Sequence, residues 1–279
     1  MKENTFTIRF LYGTVLGRTI LKLVQITGAD QGIVRFLRSR WSRPLISWQA
    51  RKSHIPLTKE QKDSYDSFRD FFARSREKLF IDRTQGHLIS PCDGWLSYYP
   101  IRKNSSFAIK GSHYQLEDLL HDEELSGNYQ GGDCLVFRLG PSDYHHYCYI
   151  DDGYQGENHE IEGTLHSVQP IACRKYPVFV LNRRCWSLLD TNHFGPVVQT
   201  EIGALVVGGI SNEQQNAFFY RGMEKGHFEL AGSTIILLFE KGRIHLRPEF
   251  DSGIREQREI RVHQGMWIGE QLYNAAQAK

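Results

Sequence analysis

The sequence lacks any run of apolar residues long enough for a membrane-spanning helix. Such a helix needs about 18 consecutive apolar residues, and charged side chains interrupt these 279 residues at much shorter intervals. The amino terminus also lacks a signal peptide with a small-residue cleavage site. We therefore expect a protein that neither spans a membrane nor leaves the cell.

Cysteine is scarce, and its spacing excludes two kinds of site. The five cysteines form an odd set without a Cys-x-x-Cys pair, namely Cys92, Cys134, Cys148, Cys173 and Cys185. Neither a disulfide framework nor a structural zinc site is expected from such spacing. His145, His146 and Cys148 lie close together in sequence, but no second ligand pair stands at tetrahedral-site spacing. The sequence thus predicts reduced thiols in a cytosolic setting and no metal site.

Acidic residues are absent from residues 31–59, which contain seven basic side chains. Phe36, Trp41 and Trp48 are interleaved with them, and the basic residues are Arg35, Arg38, Arg40, Arg43, Arg51, Lys52 and Lys59. Cations beside aromatic rings suit an anionic membrane surface. A solvated basic face packed on the body of the protein explains the composition equally well. Nucleic acid is disfavoured as a partner because no recognised nucleic-acid motif accompanies the charge.

The amino-terminal part of the chain has helical patterns. Apolar residues at helical spacing predict an amphipathic helix within residues 6–27, on the evidence of Leu16, Ile20, Leu23 and Val24. Thr58-Lys59-Glu60-Gln61 has the form of a capping box. The helix that it starts is predicted to run to about Lys78, with a core-facing aromatic side made of Tyr65, Phe68, Phe71 and Phe72.

From about residue 85 onward, turn residues punctuate short apolar runs, which is typical of β-strands. The clearest runs are Cys134-Leu135-Val136-Phe137, Ala204-Leu205-Val206-Val207 and Ile235 to Phe239. We therefore predict an α+β fold, in which a helical part at residues 1–84 lies on a mostly antiparallel, β-rich catalytic domain at residues 85–279.

One short stretch has the geometry for an attack by the chain on itself. Gly232-Ser233-Thr234 leads directly into the apolar run that starts at Ile235. A glycine leaves its carbonyl unshielded and tolerates unusual backbone angles, so Ser233 is a candidate nucleophile toward the Gly232 carbonyl. On local grounds alone an ordinary loop before a strand remains the alternative.

Other segments supply a candidate acid and candidate bases. Asp93 lies in Ser90-Pro91-Cys92-Asp93-Gly94 and either makes a turn or orients a histidine. His145 and His146 follow a Gly-Pro turn, and on an extended segment they point to opposite faces. His166 lies in Thr164-Leu165-His166-Ser167-Val168, which has the alternation of a strand. Each histidine is either structural or a proton-transfer group. The G-x-S-x-G motif of ordinary hydrolases is absent.

In order and spacing, these pieces resemble the phosphatidylserine decarboxylase proenzymes. The resemblance covers about three quarters of the chain and rests on seven segments: 65–74 (YDSFRDFFAR), 90–94 (SPCDG), 109–111 (IKG), 143–146 (DYHH), 165–168 (LHSV), 201–204 (EIGA) and 225–234 (KGHFELAGST). Any one segment is a weak signal, whereas seven in the family's order are specific.

The resemblance implies that the chain cuts itself between Gly232 and Ser233. Ser233 would attack the Gly232 carbonyl to form an ester, and elimination would leave a dehydroalanine, which hydrolysis converts to a pyruvoyl group with release of ammonia. The products would be a large β chain, residues 1–232, and a small α chain that starts at position 233. They would stay together as a heterodimer. The pyruvoyl group would form a Schiff base with the amine of phosphatidylserine and accept electrons as carbon dioxide leaves, giving phosphatidylethanolamine. The resemblance implies no other cofactor and no metal.

The resemblance also assigns roles to residues. Asp93 matches the family's triad aspartate and Ser233 its self-cleaving serine. Many members have two histidines three residues apart, of which the first matches His145 and the second falls on Cys148. We therefore take His145 as the base, which also assists proton transfer in decarboxylation, with His166 and Cys148 in reserve.

Because the implied substrate is a lipid, we expect the basic amino-terminal region to make peripheral contact with an anionic membrane, at the cytoplasmic face of the cell membrane. Two alternatives stay open. One is a pyruvoyl-dependent decarboxylase of a soluble amino acid, and the other is a relative that does not mature and only binds lipid.

Overall fold

The computed structural model describes residues 6–27, 29–53, 55–76, 79–109, 112–164, 166–168, 170–173, 176–204, 209–230, 232–250 and 258–272. Six α-helices precede the first strand: α1 (Phe6–Gly13), α2 (Val15–Thr27), α3 (Ala29–Leu37), α4 (Pro44–Lys52), α5 (Lys59–Ser64) and α6 (Phe68–Phe72). Four short ones follow: α7 (Leu116–Leu120), α8 (Glu123–Asn128), α9 (Pro170–Cys173) and α10 (Val178–Leu181). A 3₁₀ turn spans Arg40–Ser42.

The predicted amino-terminal helix is confirmed in type, with a break between Gly13 and Val15. The capping box is also confirmed, because the Thr58 hydroxyl accepts from the Gln61 backbone while the Gln61 side chain accepts from the Thr58 backbone. The prediction that this helix runs to Lys78 is wrong. It ends at Ser64, Tyr65 is extended, and Ser67 caps a second helix that ends at Phe72. Lys78 itself lies outside the described residues.

The strands are β1 (His87–Ile89), β2 (Gly94–Pro100), β3 (Ser106–Ile109), β4 (Ser112–Gln115), β5 (Asp133–Leu139), β6 (His146–Cys148), β7 (Gly153–Gln155), β8 (His159–Ile161), β9 (Arg184–Thr191), β10 (Gly195–Ile202), β11 (Ile210–Asn212), β12 (Ala217–Phe219), β13 (Glu224–Phe228), β14 (Ser233–Phe239), β15 (Ile244–Leu246), β16 (Ile260–Val262) and β17 (Trp267–Gln271). The largest sheet has the order β12-β7-β9-β10-β14-β5-β2-β16, with β8 also paired to β9. Smaller sheets are β1-β17-β15, β11-β13-β6 and β3-β4. All of these strand pairs are antiparallel, as predicted.

Strand β14 lies in the middle of the large sheet and is buried along its whole length. Its seven residues include a run of β-branched and aliphatic side chains, which suits a strand covered on both faces. Ile235, Leu237 and Phe239 pack in one apolar cluster, while Ile236 and Leu238 pack in another on the opposite face. We call these faces the inner face, which is covered by β6 and β13, and the outer face, which is covered by α7, α9 and α10.

The predicted runs at 134–137 and 235–239 are confirmed within β5 and β14. The run at 204–207 falls mostly outside the described residues, as does Leu165. The strand prediction at 164–168 is wrong for His166 to Val168. There the Asn182 side chain hydrogen-bonds to the backbone N–H and carbonyl of His166, both at 2.8 Å, and replaces a strand partner.

The amino-terminal helices are fixed to the body at several points. Tyr12 of α1 is fully buried in the outer-face cluster. Phe71 of α6 packs with Ile46 and Ala50 of α4, and Phe72 packs with Leu230. The predicted aromatic core of α6 is thereby confirmed. Among the described residues, no helix combines the length and the apolar content that crossing a membrane would require.

Candidate active site

Ser233 is the first residue of β14 and lies 1% exposed between two neighbouring strands. It pairs with Leu139 of β5, and the next residue pairs with Ile202 of β10. Because side chains alternate along a strand, Ser233 shares the inner face with Ile235. The chain on the carboxyl-terminal side of the candidate cleavage site is thus held by ladder hydrogen bonds on both sides.

Gly232 stands where a side chain would be crowded. A Cβ atom at this position would lie 3.2 Å from the Leu139 carbonyl oxygen and 3.7 Å from a methyl group of Val168. Ala231, which precedes it, lies outside the described residues. The absence of a side chain at 232 therefore leaves the peptide carbonyl before Ser233 unshielded, as the sequence suggested.

A tight turn after β5 brings His145 to the same end of the sheet. The Asp143 carboxylate accepts from the Gly140 backbone N–H at 2.6 Å, and its other oxygen lies 2.6 Å from Arg261. Since Leu139 is paired with Ser233, the turn begins beside the candidate cleavage site. His145 is fully buried, with its ring 4.4 Å from the Phe72 ring.

The hydrogen bonds of His145 define its tautomer. Nε2 lies 2.9 Å from the Gly140 carbonyl oxygen, which can only accept, so Nε2 carries the proton. Nδ1 then holds a lone pair, and it is buried without a hydrogen-bond partner among the described residues. Burial lowers the pKa of His145 to about 3. A neutral imidazole with a bare, unoccupied lone pair is what a general base requires.

Asp93 lies at the start of the neighbouring strand β2, and its carboxylate is 3% exposed. One oxygen lies 2.9 Å from Arg76, and the other accepts from the backbone N–H of Gln264 at 2.9 Å and lies 3.7 Å from His263. Because His145 Nδ1 is unpartnered, no hydrogen bond joins it to Asp93. Asp93 reaches His145 through its charge alone, which acts to raise the pKa of that histidine. Its triad role stays a prediction.

The two reserve bases occupy less suitable positions. His166 packs against Tyr12 and Tyr176, which belong to the outer-face cluster, and so lies on the face opposite Ser233. Cys148 is fully buried on the inner face, and burial raises the pKa of its thiol to about 12. A thiol that stays protonated at neutral pH cannot take a proton from serine.

His146 points away from His145, into a different set of contacts. Its Nδ1 lies 2.6 Å from Glu224, its Nε2 lies 2.8 Å from the Ala73 carbonyl, and its ring stacks on His227. His146, Glu224 and His227 place one ligand atom each within 4.8 Å of one another. The two imidazole planes are only 21° apart, however, so their in-plane lone pairs do not converge on one point. An ion pair of His146 with Glu224 accounts for the cluster without a metal.

Three residues at the site have no signal in the sequence. Arg76 and His263 face Asp93, although they are 17 and 170 positions away in the chain. Arg69 belongs to the segment that resembles the family, but nothing there indicates that it meets Glu229.

Comparison with known proteins decides the family. The sequence model of the phosphatidylserine decarboxylase family matches residues 67–270. The chain belongs to the phosphatidylserine decarboxylase family. It is 40% identical over 266 residues to phosphatidylserine decarboxylase proenzyme 2 of Clostridium acetobutylicum. The matched residues make up 94% of this chain and 91% of that protein.

Two further family members have similar coverage. A phosphatidylserine decarboxylase proenzyme of Clostridium kluyveri is 35% identical over 272 residues, or 94% of this chain and 91% of the relative. A phosphatidylserine decarboxylase proenzyme of Desulfitobacterium hafniense is 34% identical over 275 residues, which make up 95% of this chain and 90% of the relative. The resemblance inferred from the seven segments is thereby confirmed, and it extends over nearly the whole chain.

The site fits the pyruvoyl group of this family. Ser233, the predicted precursor, is covalently part of a central strand, so no separate binding cavity is needed to retain the group. The unpartnered Nδ1 of His145 offers one buried polar atom, in the turn that follows Leu139, the residue paired with Ser233. Phe228, whose backbone N–H donates to the His145 carbonyl at 3.0 Å, lies on the chain just before the cleavage site.

The lowered pKa of His145 predicts how self-cleavage depends on pH. Because His145 becomes protonated only near pH 3, its neutral form stays available from pH 8 down to pH 5. A histidine with an ordinary pKa near 6.5 would lose about thirtyfold of its neutral form at pH 5. We expect pulse-labelled chains to be cut at nearly the same rate from pH 5 to pH 8, and a loss centred near pH 6.5 would contradict this assignment.

Proposed function

We propose that this protein is a self-processing decarboxylase that converts phosphatidylserine to phosphatidylethanolamine and carbon dioxide. The observation that carries the proposal is the buried serine at the start of β14, whose paired residue on β5, Leu139, leads into the turn that holds His145. The Nδ1 of His145 has no hydrogen-bond partner among the described residues. Membership of the phosphatidylserine decarboxylase family supports the substrate. The named relatives are proenzymes, which supports maturation by cleavage.

Self-cleavage follows from the residues at the junction. His145 takes the proton of the Ser233 hydroxyl as its oxygen attacks the Gly232 carbonyl carbon, and the bond from that carbon to the Ser233 nitrogen breaks to leave an ester. Removal of the Ser233 α-proton then expels the Gly232 carboxylate. The remaining dehydroalanine takes up one water and loses one ammonia. The large chain ends at Gly232, and β14 becomes the start of the small chain.

The pyruvoyl group supplies the carbonyl that engages the substrate amine and accepts electrons as carbon dioxide leaves. The protein's own residues exclude water and handle protons. His145 lies buried under Phe72 and Phe228. Its Nδ1 takes up the proton that the substrate ammonium group loses, and passes it to the substrate α-carbon after carbon dioxide leaves. Asp93, which is buried just before β2, pairs with Arg76, whose side chain is 41% exposed.

The amino-terminal helices support contact with a membrane surface. Apolar side chains on α2 are exposed, with Val15 at 73%, Leu16 at 63% and Leu23 at 55%. Trp41 is 83% exposed and Trp48 54%, in the segment that carries seven basic residues and no acidic one. Exposed apolar side chains beside cations are the composition of an interfacial anchor. A decarboxylase of a soluble amino acid has no use for such a surface, so these residues favour the lipid substrate.

Carbon dioxide release tests the substrate directly. Vesicles that contain phosphatidylserine with a labelled serine carboxyl group are compared with free labelled serine at the same concentration. We expect release from the vesicles and none from the free amino acid. Release from free serine would favour the soluble-substrate alternative, and no release from either by a fully cleaved protein would contradict the proposal.

Membrane contact predicts a separate result. Replacing both Trp41 and Trp48 by alanine should weaken binding to anionic vesicles about tenfold or more, because interfacial tryptophans and nearby cations act together. Cosedimentation at low and at high salt measures this. The matched control is Phe218→Ala, which removes a 74% exposed aromatic side chain on β12, outside the basic segment. Equal binding by the double variant and the control would contradict the proposed surface.

A further inference from the structure

The chain just before the cleavage site is held by the amino-terminal helices. Glu229 lies four residues before Ser233, and its side chain is 14% exposed. One carboxylate oxygen lies 2.6 Å from Arg38, which follows α3, and the other lies 2.7 Å from Arg69 of α6. Burial disfavours ionisation of Glu229, but the two guanidinium groups outweigh it and lower its pKa. The carboxylate is therefore charged and doubly paired.

An apolar contact fixes the next residue as well. Leu230 is 2% exposed and packs with Phe72, while Phe68, Val34 and Leu37 lie against the same cluster. These four partners come from α3 and α6, the elements that also supply or adjoin the two arginines. Two consecutive residues on the acyl side of the cleavage site are thus gripped by one set of helices, one through charge and one through burial.

The other side of the cleavage site has its own support. Ser233 is held in the large sheet by β5 and β10. Attack by a serine on the preceding carbonyl needs the two atoms at about 3 Å in one orientation, and small misplacements cost about 100-fold in rate. Holding the chain on both sides of Gly232 is the way to maintain that geometry, since Gly232 itself is conformationally free.

We propose that Arg38 and Arg69 are positioning residues for self-cleavage, which act by clamping Glu229 on the acyl side of the Gly232–Ser233 bond. This inference rests on the proposed function, since it concerns the same cleavage. It gives the amino-terminal helices a second role besides contact with the lipid surface. Arg38 and Arg69 touch neither the serine hydroxyl nor the Gly232 carbonyl, so they act only through the backbone that they hold.

The test follows the rate at which freshly translated, labelled full-length chain is converted to two fragments on a denaturing gel. Glu229→Gln and Arg69→Met should each slow conversion by about 10- to 100-fold. Combining them should slow it no further than Glu229→Gln alone, because Glu229→Gln already removes the ion pair that Arg69→Met breaks. Arg69→Lys, which keeps the charge, should restore most of the rate. Thermal unfolding of each variant shows that the comparison is made on folded protein.

The matched control is Arg183→Met. It removes an arginine outside the amino-terminal helices, whose pair with Glu160 is 37% and 61% exposed. We expect cleavage at the wild-type rate. Wild-type rates in Glu229→Gln, or additive slowing in the double variant, would overturn the clamp. An uncut wild-type chain contradicts the proposed function itself, whereas a cut wild type with an unaffected Glu229→Gln contradicts the clamp alone.

Discussion

Replacing Ser233 by alanine leaves one uncut chain of 32.3 kDa without decarboxylase activity. The methyl group cannot attack the Gly232 carbonyl, so neither the ester nor the group derived from it can form. The substitution removes one oxygen from a buried position at the start of a strand and costs little stability, so the variant stays folded. A denaturing gel and carbon dioxide release from phosphatidylserine vesicles measure the two losses together.

The matched control for this variant is the next residue. Thr234 is fully buried, its hydroxyl has no hydrogen-bond partner among the described residues, and alternation places it on the outer face of the sheet. Thr234→Val keeps the shape of the side chain and removes only the hydroxyl group. We expect it to be cut and active. If Ser233→Ala were cut, or if Thr234→Val alone prevented cleavage, the nucleophile would be assigned wrongly.

Replacing His145 by alanine should slow self-cleavage by about 10²- to 10⁴-fold, the range for loss of a general base. We expect this loss because His145 carries its proton on Nε2, which leaves the buried Nδ1 lone pair available to accept the serine proton. Any fraction that matures slowly should also release carbon dioxide slowly, because the same nitrogen accepts and passes on the proton that the substrate α-carbon needs. The conversion of labelled chain and the activity per cleaved molecule separate these two losses.

The reserve bases provide the comparison. Cys148→Ala and His166→Ala should be cut at close to the wild-type rate, because the thiol stays protonated and the imidazole lies on the other face of the sheet. A normally cut His145→Ala protein would move the role of base elsewhere. His263, which lies 3.7 Å from Asp93, would then be the next residue to substitute.

Much of the catalytic body could be predicted because its strands are encoded locally. The run from Ile235 to Phe239 has no polar residue, which is typical of a strand buried on both faces. Its place after Gly232-Ser233 puts the candidate nucleophile at a strand end. The Gly-Pro turn that precedes His145 can also be recognised from the local sequence. The short apolar runs between turn residues predicted the antiparallel architecture, and the family resemblance then assigned roles to the candidate site residues.

The partners of each site residue could not be predicted, because they come from distant parts of the chain. Asp93 was expected either to make a turn or to orient a histidine. Nothing in its local sequence indicates that its oxygens contact Arg76 and the backbone of Gln264, which the strand pairing of β2 with β16 brings near. The ion pairs of Glu229 likewise join it to Arg38, 191 positions away, and to Arg69, 160 positions away. Contacts of this kind depend on how sheets and helices dock, which residue spacing does not encode.

Helix length was the main error in the secondary structure. The aromatic spacing from Tyr65 to Phe72 fits one continuous helix, but Ser67 is the N-cap of a new helix and interrupts it. The cap hydrogen bond of Ser67 to Asp70 satisfies a backbone group that a continuous helix would bond elsewhere. The break turns α6 so that Phe72 reaches His145 and Arg69 reaches Glu229.

The most direct test of the central claim is the intact mass of the purified wild-type protein under denaturing conditions, before and after treatment with hydroxylamine. We expect two chains, a large one that ends at Gly232 and a small one that starts with the residue formed from Ser233. Only the small chain should gain mass, because it alone carries a ketone. A single chain of 32.3 kDa that does not react with the reagent would contradict it.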